Sequence, residues 1–381
     1  MTTIERIVLH PVRVPLHTPF VTSVRRATHA ESLLVEVVDS DGRSGWGEAP
    51  QVWQVTGESL AGATAAIAGP LSMPLLGRDP ADLMGLTDAV ERAVVGNLSA
   101  KSAIDVALHD LAAATLGVSL ARYLGAPAGR SIVGTDVTLS VGSPDAVARD
   151  AIAKVAAGFT LLKAKVGTDA RGDVDRVRAI RAAVGRAIGI RLDANQGWTA
   201  KEALATMSAI EAADLDIELV EQPLPAHDLA GMAFVTARIA TPVLADESVY
   251  GIRDLVRVIE VRAADLVNVK LAKCGGLRVA RTQIDLARAA GLGTVVGSMM
   301  ETSVGIGAAA SLVAAYDTTA TSRLWAVSDL DAAWWLAESA VAGGAVYDGA
   351  SVRLSAEPGL GVTGLSSSAS TSKSAPGGSP R

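Results

Sequence analysis

The chain has 381 residues, enough for more than one domain, and 49% of them are hydrophobic but only 3% aromatic, so aliphatic packing must carry a large core. A net charge of −6 with both signs interspersed excludes the clustered basic surface of a nucleic-acid binder. The one cysteine, Cys274, excludes an internal disulfide framework and a cysteine-ligated zinc site.

The first residues, Met1 to Arg6, are polar and carry no apolar signal core. Pro70, Pro74 and Glu301 interrupt the longest apolar stretches, so no membrane span is read and a soluble cytoplasmic protein is expected. Residues 1–60 alternate with β-branched side chains, and Asp41-Gly42 separates two such runs before Gly45-Trp46-Gly47-Glu48. Residues 59–125 change to a helical period, as in the Ala-rich stretch from Ala100 to Leu116. Strands followed by helices predict an α+β domain over 1–130, to which a β-like run near 340–363 returns.

From about residue 131 to 339 short apolar strands alternate with helix-length segments. Strands are expected near 136–140, 161–166, 188–193, 218–221, 243–246, 266–270, 294–298 and 321–325, with helices between them over 175–184, 201–213 and 277–290. Each parallel crossover needs a helix, and eight such strands point to a (β/α)8 barrel, with an open doubly wound sheet as the alternative. The tail, 366–381, is rich in Ser with Gly, Pro and Lys and is expected to be disordered.

The charges sit in a pattern. Lys163 and Lys165, Asp193 and Asn195, Glu221, Asp246 and Glu247, and Lys270 each end an apolar strand. In a barrel those ends meet at one mouth, where active sites are built. A lone Asp at a strand end is ordinarily a loop cap or a surface ion pair. Asp193, Glu221 and Asp246 on successive strands would instead crowd three negative charges, and a hard divalent cation, one Mg²⁺ per chain, resolves that. Lys163 and Lys165 are two residues apart and share a face of their strand. Lys270 lies across the ring from them, so a carboxylate held between would have a lysine on each side. Crowded ammonium groups beside a metal are expected to lower a lysine pKa toward that of a general base. A Lys-x-Lys on a solvated edge is the bland alternative, against which the flanking Leu161, Leu162 and Val166 argue.

These strings resemble the enolase superfamily in its muconate-lactonising subgroup, over residues 1 to about 363: Leu162-Lys163-Ala164-Lys165-Val166, Arg191-Leu192-Asp193-Ala194-Asn195-Gln196-Gly197-Trp198, Glu221-Gln222-Pro223, Ala245-Asp246-Glu247-Ser248 and Asn268-Val269-Lys270-Leu271-Ala272-Lys273-Cys274-Gly275-Gly276. The resemblance implies an α/β fold, a modified (β/α)8 TIM barrel with an N-terminal α+β capping domain. It assigns Asp193, Glu221 and Asp246 to Mg²⁺, Lys165 and Lys270 to acid/base catalysis, Lys163 to the substrate carboxylate, and Asn195 to support behind the metal. Lys270 is preferred to Lys273 by its strand-end position.

Within the subgroup, Asp329 and Asp331 look like the Asp-x-Asp pair that holds the free ammonium of a dipeptide in dipeptide epimerases. Ordinary N-capping of a helix over 332–338 is the competing account of the same residues. The loop from Thr18 to Arg25 resembles the specificity loop of L-Ala-D/L-Glu epimerases, in which Arg25, or its neighbour Arg26, would face an acidic side chain. Thr138, Ser298, Met299 and Met300 resemble further substrate contacts. After Asp331 the chain reads Ala332-Ala333-Trp334-Trp335, where the resemblance leads one to expect a proline. The implied activity is epimerisation of a dipeptide by two-base 1,1-proton transfer. An N-acylamino acid racemase, an o-succinylbenzoate synthase or cycloisomerase of the same subgroup, and a non-catalytic barrel are the alternatives. The sequence does not decide between a monomer and a homo-oligomer.

Overall fold

A computed structural model describes residues 2–21, 26–316 and 327–367. Three antiparallel strands, β1 (Ile4–Val21), β2 (Arg26–Asp39) and β3 (Ser44–Pro50), form a sheet in that order. The helices α1 (Leu60–Ala66), α2 (Leu83–Ala93), α3 (Leu98–Thr115) and α4 (Leu120–Leu124) follow. The buried face of β2, Leu33, Val35 and Val37, packs with Ile104, Leu108 and Leu111 of α3. That approach is close: a Cβ on Gly45 or Gly47 would collide with the carbonyls of Ala107 and Ala103, which explains the two glycines around Trp46.

After β4 (Ile132–Gly134) the chain lays down seven parallel strands. They are β5 (Val137–Leu139), β6 (Leu161–Lys165), β7 (Gly189–Asp193), β8 (Val220–Glu221), β9 (Val243–Ala245), β10 (Leu266–Lys270) and β11 (Gly293–Gly297), side by side in chain order. The crossovers are α5 (Pro144–Ala156), α6 (Ala170–Val184), α7 (Ala200–Ala212), α8 (Leu229–Thr236) and α9 (Ile252–Val261). Then come α10 (Leu271–Cys274), α11 (Leu277–Ala289) and α12 (Ser303–Ala315). Local signals start several of them: Ser143 caps α5 ahead of Pro144, Asp169 caps α6, and Thr199 with Glu202 forms a capping box on α7. The helix expected from 175 therefore begins five residues earlier, at Ala170.

The eighth strand expected at 321–325 lies outside the described residues, as do Arg25 and the tail from 368. The ring is nevertheless joined. Ser328 bridges Thr135 beside the first strand, and Asp329 bridges Gly297 at the end of the seventh, both in parallel sense. The Asp136 N–H donates to the Ser328 carbonyl and the Asp329 N–H to the Val296 carbonyl. An open sheet has no such link, so the fold is the modified (β/α)8 barrel with an N-terminal α+β cap. The helix expected over 332–338 as an account of Asp329 and Asp331 is reduced to a 3-10 turn, Ala332–Trp335, which the Asp331 side chain does not cap.

Beyond the barrel, β12 (Val341–Gly343) pairs with β15 (Val362–Leu365), and β13 (Val346–Asp348) pairs with β14 (Ser351–Arg353), which pairs in turn with β4. Two buried carboxylates join the cap to the rest. Glu48 of β3 accepts from Thr302 N at 2.8 Å, Thr302 Oγ1 at 2.6 Å and Gly305 N at 2.9 Å, gripping the start of α12. Asp110 of α3 accepts the N–H groups of Trp46 and Leu360. Among the described residues no helix is long and apolar enough to cross a membrane.

Burial pushes Asp110 up to about 7 despite those two donors. Folding therefore takes up a proton at this site between about 4 and about 7, and the stability it contributes is full below that window and lost as pH rises through it. The difference in urea-unfolding free energy between wild type and Asp110→Asn is expected to shrink by on the order of 2–4 kcal/mol across the window. A difference that is flat with pH would refute it.

Candidate active site

The ends of β6, β7 and β8 are in lateral register. Lys165 is level with Asp193, and Asp193 with Glu221. The side chains expected at the mouth are therefore brought together, and all are buried: Lys163, Lys165, Asp193, Glu221, Asp246 and Lys270. Ionised groups at this depth persist only when paired. The Lys163 ammonium lies 2.9 Å from Asp193 Oδ2, 2.7 Å from Glu221 Oε2 and 2.7 Å from Asp329 Oδ2. Lys165 Nζ is 2.6 Å from Asp193 Oδ2, and Lys270 Nζ is 2.9 Å from Asp246 Oδ2. Lys273 also binds Asp246, at its carboxylate and its carbonyl, which gives that lysine a structural partner rather than a place across the mouth.

Lys165 and Lys270 are not side by side. Three strands, β7, β8 and β9, separate β6 from β10, and Asp193, Glu221 and Asp246 come from or just after those three strands. The three carboxylates are interleaved with lysines instead of meeting directly. Among the described residues no three His, Cys, Asp or Glu side chains form a ready ion cage. The donors nonetheless suit a hard cation. Lys163 acts as a stand-in positive charge touching oxygens of Asp193 and Glu221, every donor is oxygen, and buried oxygens of Asn195 and Glu247 close by have no partner.

The backbone beyond the strands is bent to serve these groups. Asn195 (φ 42°), Gln196 (φ 69°) and Gln222 (φ 36°) are in the left-handed region, a cost that non-glycine residues bear where the surroundings enforce it. The turn brings the Asn195 N–H to Asp193 Oδ1 at 2.9 Å, while its side-chain amide reaches Glu247 at 3.3 Å. Gln222 Oε1 accepts the N–H of Asp246 at 2.9 Å, and Asn268 donates to Glu221 at 3.0 Å.

The expected lowering by crowded ammonium groups beside a metal meets an opposing effect here, the attraction of the buried carboxylates. Burial opposes the charge of Lys163, but Asp193, Asp329 and Glu221 outweigh it and hold the ammonium well above its ordinary value. Lys270 is likewise raised: burial works against it, and Asp246 and Glu221 more than compensate. The missing step in the sequence argument was the carboxylates, which sit nearer to each lysine than the other lysines do. Glu221 is pushed up to about 7 by burial, against the pull of Lys163, and Glu247 to about 8 by burial and the neighbouring Asp246.

Thr138, Ser298, Met299 and Met300 line the cleft above these groups together with Asp329 and Asp331. Arg25 falls outside the described residues, and Arg26 is exposed at the start of β2. Several lining residues escaped the sequence reading. Val52 and Val55 reach in from the loop after β3, packed on Ala272 and Met299, whereas Phe20, which also lines the cleft, belongs to the segment read as a specificity loop. Beneath the mouth, Arg191 pairs with Asp136 at 3.3 Å. Apolar loop residues carry no chemical signal. Asp136 could have been found, as a carboxylate that begins an apolar strand.

Two comparisons of sequence and fold agree with this geometry. The family model "Mandelate racemase / muconate lactonizing enzyme, N-terminal domain" matches residues 3–125, and "Enolase C-terminal domain-like" matches residues 146–366. The L-Ala-D/L-Glu epimerase of Clostridium acetobutylicum is 39% identical over 95% of this chain and 99% of its own length. A substrate-liganded complex of the L-Ala-D/L-Glu epimerase from Bacillus subtilis is similar with a TM-score of 0.91 and 40% identity, covering 96% of this chain and 99% of that one. A dipeptide epimerase from Enterococcus faecalis, complexed with Mg and L-Leu-L-Tyr, has a TM-score of 0.88 and 35% identity, covering 94% and 99%. On both its family models and its closed barrel, the chain belongs to the enolase superfamily, in the mandelate racemase and muconate lactonizing enzyme branch.

Proposed function

We propose that this chain is a Mg²⁺-dependent dipeptide epimerase that inverts the α-carbon of the C-terminal residue of an L-Ala-D/L-Glu type dipeptide. The observation that carries the reading is the placement of Lys165 and Lys270 across the mouth from each other, with three carboxylate-bearing strand ends between them. An α-carbon held over those ends is within reach of one amine on each face, which is what inversion requires and what elimination does not.

Asp193, Glu221 and Asp246 would hold the Mg²⁺, which when bound supplies positive charge to the substrate carboxylate and so makes the α-proton removable. Lys165 Nζ, as a free amine, takes the proton from one face of the α-carbon. The C–H electron pair moves onto the carboxylate, where the Lys163 ammonium meets the developing charge. Lys270 Nζ, as an ammonium, delivers a proton to the opposite face, and the roles exchange for the other stereoisomer. Asp329 and Asp331 provide negative charge for the free ammonium of the first residue. Arg25 is assigned to the acidic side chain of the second residue. Asn195 steadies Asp193 from behind.

Lys165→Ala and Lys270→Ala are each expected to lower epimerisation by ~10²–10⁴-fold or more, while each retains exchange of the α-proton of one stereoisomer in heavy water, read by NMR. Normal inversion by both variants would end the two-base scheme. Chelation of divalent ions is expected to abolish turnover, and added Mg²⁺ to restore it; activity that persists after exhaustive chelation counts against the assignment of the three carboxylates. A dipeptide library in heavy water with Mg²⁺, scored for α-deuterium, tests specificity. Label confined to acidic C-terminal residues supports the place given to Arg25, and label spread evenly over all residues removes it. Label on N-acylamino acids in preference to free dipeptides would favour the racemase alternative.

A further inference from the structure

The segment after the barrel seam departs from the family pattern at Trp334-Trp335, and the structure gives that departure a use. Trp335 is almost completely buried, at 2% exposure. Its indole Nε1–H donates to Asp331 Oδ2 at 2.9 Å, and the Thr138 backbone N–H donates to the same oxygen at 2.8 Å. Two donors on one oxygen fix the plane of the carboxylate. Among the described residues none donates to Oδ1, and Asp331 lines the cleft. Hydrogen bonds to an ionised acceptor are stronger than neutral ones and more directional in effect, so this pair is enough to select one rotamer.

The indole is itself held from the cap. The Phe20 ring meets it edge-on at 5.4 Å, and the His17 ring stacks on it at 5.6 Å with an interplanar angle of 16°. Both residues are on β1. From the other side the Lys154 ammonium of α5 stands 4.1 Å from the Trp335 ring centre and 3.9 Å from that of Trp334. A cation over two indole faces is a favourable contact worth more when water is excluded. The 3-10 form of Ala332–Trp335 follows from these contacts. It brings residue 335 back beneath residue 331, whose side chain an ordinary N-cap would have turned to the backbone.

We propose that Trp335 is the positioning residue of the ammonium-binding carboxylate: it aims Asp331 at the substrate's free amine, and through Phe20 and His17 it couples that aim to the capping strand. This rests on the dipeptide reading given above.

The test measures dipeptide affinity by calorimetry in the presence of Mg²⁺, alongside kcat and KM for epimerisation, on the full chain. Trp335→Phe keeps an aromatic ring at this position but removes the N–H donor and part of the buried ring. It is expected to raise Kd and KM about tenfold, the effect of one hydrogen bond to a charged group, with kcat within about twofold. In an Asp331→Asn background the same substitution is expected to add little, since the partner it acts on is already altered. His17→Ala, at an exposed position that leaves Trp335 intact, is expected to raise Kd by about threefold and keeps the proposal testable should Trp335→Phe fold poorly. Unchanged affinity in Trp335→Phe, or penalties that simply add with Asp331→Asn, or, where Trp335→Phe does not fold, unchanged affinity in His17→Ala, overturns it. A wild type that binds the dipeptide without exchanging its α-proton would refute the catalytic reading and leave this one standing, whereas a wild type that binds no dipeptide overturns both.

Discussion

Everything at the barrel mouth follows from the difficulty of keeping charge away from water. Four lysines and four carboxylates, Lys163, Lys165, Lys270, Lys273, Asp193, Glu221, Asp246 and Asp329, are buried within a few strand ends of one another. None could remain ionised alone at that depth. Each is tolerated because an opposite charge lies within 3 Å, as Lys163 shows with three partners at once. The parallel sheet makes this arrangement available, since it delivers one residue per strand to the same level. Uncharged neighbours then hold the set in place: Asn268 donates to the Glu221 carboxylate, and Gln222 accepts the backbone N–H of Asp246.

That constraint accounts for much of the strain and inter-layer bonding nearby. The left-handed turns at Asn195, Gln196 and Gln222 are where the chain leaves the charged strand ends; Asn195 turns its N–H back to Asp193, and the Gln222 amide oxygen accepts the N–H of Asp246. The cap is fastened by the same means. Glu48 and Asp110 are buried carboxylates whose acceptors are saturated by backbone N–H groups from distant segments. A cap joined through such contacts holds its loops, with Val52, Val55 and Phe20, over the cleft.

The strands were legible because their signal is local. Leu161–Lys165 and Leu266–Lys270 are apolar runs ending in a lysine, and both emerge where expected. The charged residues of the mouth were legible for the same reason: each is anomalous at the end of its own strand. Less was readable where partners come from far along the chain. Nothing around residue 331 announces that an indole four positions on will bond to it rather than continue a helix. Val52 and Val55 look like any loop aliphatics until the barrel is beneath them. Nor does the sequence tell which opposite charge lies nearest to a buried lysine: Lys163 has Glu221 at 2.7 Å, and that carboxylate helps to hold its ammonium above its ordinary value.

Among the described residues, Ser328 and Asp329 join the first barrel strand to the last. Asp329 is half of that join, and Asp331 lies two residues further on. The lysines and acidic strand ends occupy the opposite arc. The joint is not independent of that arc: through the ion pair of Asp329 with Lys163, a substitution where the ring closes is felt directly among the buried charges.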